Sequence, residues 1–169
     1  MAIITALLLS LVVPGAVYAQ QASNEATQDV ARPLPDTFDP KRNALNDLQT
    51  ALALAGQQHK RVLVDLGGSW CKACLELDQF FEQNPDLKQQ RDAAFIWLKV
   101  NVSEENKNDE LVKKLPWFIG YPHWFVLDEN GKVLHTSFAQ DTREDLQAFL
   151  TKWGGNQTSP ERENAGSAQ

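Results

Sequence analysis

The chain has 169 residues, 43% of them hydrophobic and 22% charged, the composition of an ordinary globular domain with extensions. Sixteen Lys and Arg against 22 Asp and Glu give a formal net charge of -6, and no segment gathers basic residues, which argues against a nucleic-acid surface. Two cysteines exclude a four-thiolate zinc site and a disulfide-dense scaffold, so the question becomes what a single pair is for.

Residues 2–13 (AIITALLLSLVV) are almost wholly apolar, and Pro14-Gly15 interrupt the run. Val17-Tyr18-Ala19 place small residues at the two positions a signal peptidase reads, so residues 1–19 are expected to be a signal peptide. No Lys or Arg precedes the apolar core, and an uncleaved N-terminal anchor is the alternative, because residues 2–19 approach the length of a short span. The remainder is then expected to be periplasmic or secreted, or anchored and facing the periplasm, where disulfides persist. Residues 20–40, rich in Gln, Ala, Ser and Pro, read as a flexible leader, and residues 154–169 as a disordered tail. The folded domain is expected over 41–153.

Ala44, Leu45, Leu48, Leu52 and Leu54-Ala55 predict an amphipathic helix closed by Gly56. Residues 61–66 (RVLVDL) predict a buried strand, ended by Gly67-Gly68. Helical spacing resumes over 71–82 through Cys74, Leu75, Leu77, Asp78 and Phe81; Asn84-Pro85 breaks or kinks it, with a short turn expected over 86–91. Residues 95–102 (FIWLKVNV) predict a second strand, and 104–115 a polar helix capped by Ser103. Strands over 123–127 and 132–138 flank Glu129-Asn130-Gly131, whose Asn-Gly is a strong hairpin signal. Thr142 with Asp145 resembles a capping box and opens a last helix through Leu146, Phe149, Leu150 and Trp153. Right-handed crossovers predict that the first three strands are mutually parallel and the hairpin strand antiparallel. The result is an α/β sandwich, a mixed four-stranded sheet with helices on both faces.

Ser69-Trp70-Cys71-Lys72-Ala73-Cys74 falls where a strand gives way to a helix. A cysteine in the first turn meets unpaired N–H groups and the positive end of the helix dipole, and both favour thiolate; Lys72 adds a nearby cation. Cys74, one turn on and on the same helical face, can attack a mixed disulfide formed at Cys71. Other readings are weaker. His59, His123 or His135 could complete a metal site, but none has finger spacing, so no metal is expected. Haem attachment needs His where Leu75 stands. A purely structural disulfide closing so small a loop would constrain the unfolded chain little. Redox exchange is the reading that C-x-x-C in a β-α pattern favours. No glycine fingerprint for a nucleotide is present, so no small-molecule cofactor is expected beyond the Cys71–Cys74 disulfide itself.

At these residues the chain resembles the thioredoxin superfamily. VLVDLGGSWCKAC resembles the family's strand, turn and W-C-x-x-C site, and Gly120-Tyr121-Pro122 resembles its G-x-P segment, whose proline is cis and faces the disulfide. Within the superfamily the pattern is similar to the C-terminal thioredoxin-like domain of DsbD, the bacterial transmembrane electron carriers. Gly67-Gly68 depart from the usual aromatic-Ala pair, and Tyr121-Pro122-His123 from the usual apolar-Pro-Thr. The resemblance implies a thiol-disulfide oxidoreductase acting on protein thiols and disulfides, with a membrane electron donor as a candidate partner. It also implies that Cys71 attacks, Cys74 resolves, and Asp65, six residues before Cys71, relays the proton of the resolving thiol. On sequence alone Asp65 could instead cap its strand, although a lone carboxylate in an apolar strand is costly to bury without purpose. Trp70, Tyr121 and Pro122 are expected at the substrate contact, with core filling the alternative for Trp70; Trp117 and Phe118 are either groove lining or core, and His123 tunes the site or is a bystander. A non-catalytic module of the same fold, metal-holding or chaperone-like, is the competing function.

Overall fold

In the computed structural model, which describes residues 33–155, β1 (Arg61–Gly67) is buried along nearly its whole length, which is why its sequence runs apolar instead of alternating. The expected signal peptide, most of the leader and the tail beyond residue 155 lie outside the described residues. The elements are α1 (Ala44–Gln58), β1, α2 (Lys72–Gln83), α3 (Pro85–Ala94), β2 (Phe95–Asn101), α4 (Asp109–Val112), β3 (His123–Leu127), β4 (Val133–Phe138) and α5 (Arg143–Gly154). The four strands stand in the order β2-β1-β3-β4.

Side chains alternate across β1 and divide the core. Val62, Val64 and Leu66 join Ile96, Leu98, Val100, Phe125 and Leu127 under Ala44, Ala51 and Ala55 of α1. Leu63 on the opposite face joins Trp124 and Val126 under Leu77 and Phe81 of α2, Leu87 of α3, and Leu146, Phe149 and Leu150 of α5. Helices therefore cover both faces, as expected. Among the described residues no helix is long and apolar enough to cross a membrane.

One topological expectation is overturned. β1 and β2 are parallel, but β3 runs antiparallel to β1, pairing Leu66 with His123 and Val62 with Leu127. The reason lies in the connection from β2. The expected helix over 104–115 is only the four residues of α4, about 6 Å of rise against about 23 Å for a seven-residue strand. The chain never returns to the far end of the sheet, so it enters β3 from the end where β2 left. Ser103 is not a helix cap. Its Oγ accepts from Asn101 Nδ2 and Asn106 N, closing a loop instead, and Asn108 in a left-handed conformation opens α4.

Smaller differences have local causes. α1 continues through Gly56 to a left-handed cap at His59, because its apolar face continues to Ala55 and Lys60 N–H bonds back to Ala55 O. Pro85, at the first position of α3, begins a ten-residue helix instead of leaving a turn, a position where its missing N–H is harmless. In the β3–β4 hairpin Gly131 alone takes positive φ (83°), and Asp128 Oδ1 accepts from Asn130 N and Lys132 N. Thr142 caps α5 by accepting from Asp145 N at 3.1 Å, as its spacing predicted. The fold also takes in residues before 41: Leu34 packs on the core and Phe38 is buried. Single apolar residues without a period carried no helical or strand signal.

Candidate active site

The C-terminal ends of β1 and β2 and the start of β3 meet at one end of the sheet, where Gly67 faces Asn101 and Leu66 faces His123. The turn after β1 delivers Cys71 as the N-cap of α2, in extended conformation (φ -87°, ψ 101°). Cys71 Sγ accepts from Cys74 N–H at 3.2 Å, so a sulfur occupies the place a Ser or Asp oxygen usually fills. The two cysteines are joined by a disulfide, S–S 2.05 Å, with Cα atoms 5.3 Å apart. Cys71 is 5% exposed and Cys74 1%, which puts Cys74 on the inner side.

Asp65 lies on the same face of β1 as Gly67, one pleat deeper, opposite Lys99 of β2 and Trp124 of β3. A Cβ on Gly67 would fall 2.7 Å from Cys74 Sγ, so the Cys74 sulfur rests directly on this face. Asp65 is fully buried and its Oδ1 has no hydrogen-bond partner. Burial pushes its carboxyl pKa up to about 7; Lys99 opposes the rise, Asp78 adds to it, and the indoles of Trp124 and Trp97 oppose it weakly. Neither indole N–H closes a hydrogen bond of ordinary geometry. Lys99, itself buried, directs its ammonium to the Asp78 carboxylate and lies 4.6 Å from the Phe38 ring. Asp65 is therefore no strand cap: its carboxyl is enclosed.

The remaining candidates separate. Trp70 is 56% exposed, donates Nε1–H to Val102 O at 2.8 Å and meets Tyr121 edge-on at 5.4 Å, so it flanks the site instead of filling the core. Tyr121 packs on the cluster of Phe38, Cys71 and Cys74, and Tyr121–Pro122 is cis, as the resemblance implies. Pro122 and Ala73 line one groove of about 490 Å³, which continues to Phe138 and Leu146. Lys72 is exposed, and its Nζ bonds Glu76 Oε1 at 2.6 Å. Its charge is thus paired in solvent, where it contributes little at Cys71. Trp117 is 83% exposed, whereas Phe118 packs on the core. His123 is buried among Phe118, Phe125 and Phe138, with Nε2 2.8 Å from Thr136 Oγ1, and burial lowers its pKa. Among the described residues no cluster of His, Cys, Asp or Glu is arranged to hold a metal ion. Sequence reasoning passed over Phe38, Lys99 and Asp78. Lys99 carried the same signal as Asp65, a lone charge inside an apolar strand.

The sheet, the helix-capping disulfide and the buried acid beneath it define the chain as a thioredoxin-fold protein with a C-x-x-C disulfide at its site. A family model described as thioredoxin-like matches residues 43–129, half of the chain, and the chain belongs to that family. It is 28% identical over 128 residues to the thiol:disulfide interchange protein DsbD of Haemophilus ducreyi, a match covering 75% of this chain and 21% of that protein. It is 34% identical over 85 residues to DsbD of Actinobacillus pleuropneumoniae, covering 50% of this chain and 14% of that one. The chain thus spans about a fifth or less of the curated relatives it matches. Among solved structures, a disulphide isomerase from Xylella fastidiosa superposes with a TM-score of 0.61 at 26% identity, covering 71% of this chain and 96% of that one. The oxidised DsbD C-terminal domain of Neisseria meningitidis shares the fold, with a TM-score of 0.51 at 21% identity, covering 63% and 92%.

Proposed function

We propose that this chain is an exported reductant or electron carrier that passes electrons from its Cys71–Cys74 dithiol to protein disulfides in the periplasm. The observation that carries the reading is Cys71 Sγ at the start of α2, held by a helix N–H, with an inner cysteine resting over a buried acid. Cys71 thiolate attacks one sulfur of a substrate disulfide; that S–S bond breaks, and the departing sulfur takes up a proton. A mixed disulfide now links Cys71 to the substrate. Cys74 gives its thiol proton to ionised Asp65 and attacks Cys71 Sγ, and the second substrate sulfur leaves with a proton. The substrate has gained two electrons and two protons, and Cys71–Cys74 is the disulfide seen in this structure. With a pKa of about 7, Asp65 is present in both forms near neutral pH, which suits a group that must accept and return a proton.

Trp70, Tyr121 and Pro122 border the pair and would hold an extended substrate segment. The apolar N-terminal run and the likeness to DsbD support export, and the same likeness points to a membrane electron donor that reduces the pair after each turnover. This reading calls for no bound cofactor, because the reduced Cys71–Cys74 dithiol itself carries the two electrons and becomes the disulfide on giving them up. Insulin reduction with dithiothreitol tests the activity: Cys71→Ser should abolish it, and equal rates would refute it. The potential of the couple tests direction. A reductant should fall nearer to thioredoxin's about -270 mV than to the about -120 mV of a strong oxidant.

A further inference from the structure

Phe38 belongs to the segment before α1 and has no part in either large core, yet it is buried against both cysteines. Its ring occupies the space a side chain on residue 67 would need, since a Cβ there would lie 2.8 Å from Phe38 Cζ. The ring packs with Cys74 and lies 4.6 Å from the Lys99 ammonium, with Asp65 opposite Lys99 in register. The ring also lines an open cleft of about 430 Å³, together with Thr37, Asp39, Ser69, Leu75 and Asp78. The ring thus stands at an open cleft while packing against the inner cysteine and the buried ammonium that faces the buried acid. Its segment is tied down by hydrogen bonds from Asn106 Nδ2 to Pro40 O and Arg42 O, both at 2.9 Å, and by the buried Arg42–Asp47 ion pair.

We propose that Phe38 is a positioning residue for disulfide exchange, an aromatic plug that keeps water from the chamber under Cys74 and so sets the proton affinity of Asp65. This role rests on Asp65 acting as the proposed proton relay for Cys74. The groups facing Asp65 are Lys99 and Trp97 from β2, Trp124 from β3, and Cys74 and Asp78 from α2. Lys99 is shared with Asp78, so dehydration dominates the balance at Asp65. If the ring is removed, water from the cleft can solvate the carboxylate, and proton affinity falls.

The test is the titration of the Asp65 carboxyl by carbon NMR on the full oxidised chain, in wild type, Phe38→Ala, Phe38→Leu and Leu34→Ala. Leu34 packs on the opposite core and serves as a control for general loosening. Phe38→Ala should lower the Asp65 midpoint by about one unit or more, while Phe38→Leu, which keeps an apolar plug, and Leu34→Ala should hold it near the wild-type value. In the reduced protein Phe38→Ala should also speed alkylation of Cys74. An unmoved midpoint in Phe38→Ala, or an equal fall in Leu34→Ala, would overturn the plug. Failure of the relay is separate: it would show as an Asp65→Asn variant that exchanges as fast as wild type, whatever Phe38 does to the titration.

Discussion

Replacing Asp65 by Asn isolates the electrostatic cost of burying its carboxyl. Asn is nearly isosteric with the protonated acid, and Lys99 keeps its partner Asp78 in the variant. The folded-state pKa of about 7 stands against an ordinary value of 3.8. Below 3.8 both folded and unfolded wild type carry the proton, so the substitution should change stability little. Above that value the unfolded chain ionises while the folded chain holds its proton, and wild-type stability falls by about 1.4 kcal/mol per pH unit until the folded carboxyl ionises. The raised pKa thus gives stability that is full at low pH and lost by about pH 7, reaching roughly 4 kcal/mol in favour of Asn. Urea melts of the oxidised proteins at about pH 4, pH 5.5 and pH 7.5 would trace this growing gap. The same substitution should slow disulfide exchange in stopped flow, so one variant becomes more stable and less active. A stability difference that does not change with pH would refute the buried, proton-holding carboxyl.

Three further outcomes follow from the same geometry. Reduced protein treated with iodoacetamide at neutral pH should be alkylated first at Cys71, which receives a helix N–H and is the more accessible sulfur; peptide mapping that finds Cys74 first would reverse the roles. Lys72→Gln should leave both the thiolate titration of Cys71 and the melting temperature nearly unchanged, because the ammonium is solvent-exposed and paired with Glu76. Gly67→Ala should destabilise the oxidised protein by about 1–3 kcal/mol in urea melts, as its Cβ would fall 2.7 Å from Cys74 Sγ and 2.8 Å from Phe38 Cζ.

The legible parts of this fold were those governed by local periodicity. The buried run of β1, the helical spacing after Cys71 and the Thr142 cap each declared themselves within a few residues. The direction of β3 did not, because it depends on where a 21-residue connection between β2 and β3 takes the chain. The first part of that connection, residues 103–110, is polar, as a solvated helix would be, but its side chains are engaged elsewhere. Asn108 Nδ2 donates to Asn101 O, Asn108 Oδ1 accepts from Ala44 N, and Asn106 reaches back to the segment before α1. Such bonds compete with helix formation, and no periodicity reveals them.

The chemistry divides in the same way. Cys71, Cys74 and the anomaly of Asp65 could be read from residue type and position, whereas the environment that encloses Asp65 is assembled from distant segments. β2 brings Lys99, α2 brings Asp78, β3 brings Trp124, and the stretch before α1 brings Phe38. The antiparallel entry of β3 matters here. By starting at the end where β1 stops, β3 sets Tyr121 against the cysteines and Pro122 in the groove with Ala73; a parallel β3 would have carried them to the far end of the sheet. The two glycines after β1 complete the arrangement by what they omit. A Cβ at Gly68 would fall 2.2 Å from Trp70 Nε1, and one at Gly67 would displace Phe38 and Cys74. Absent side chains at 67 and 68 are therefore what allow the exposed indole to fold back on one flank of the disulfide and the Phe38 ring to close the other.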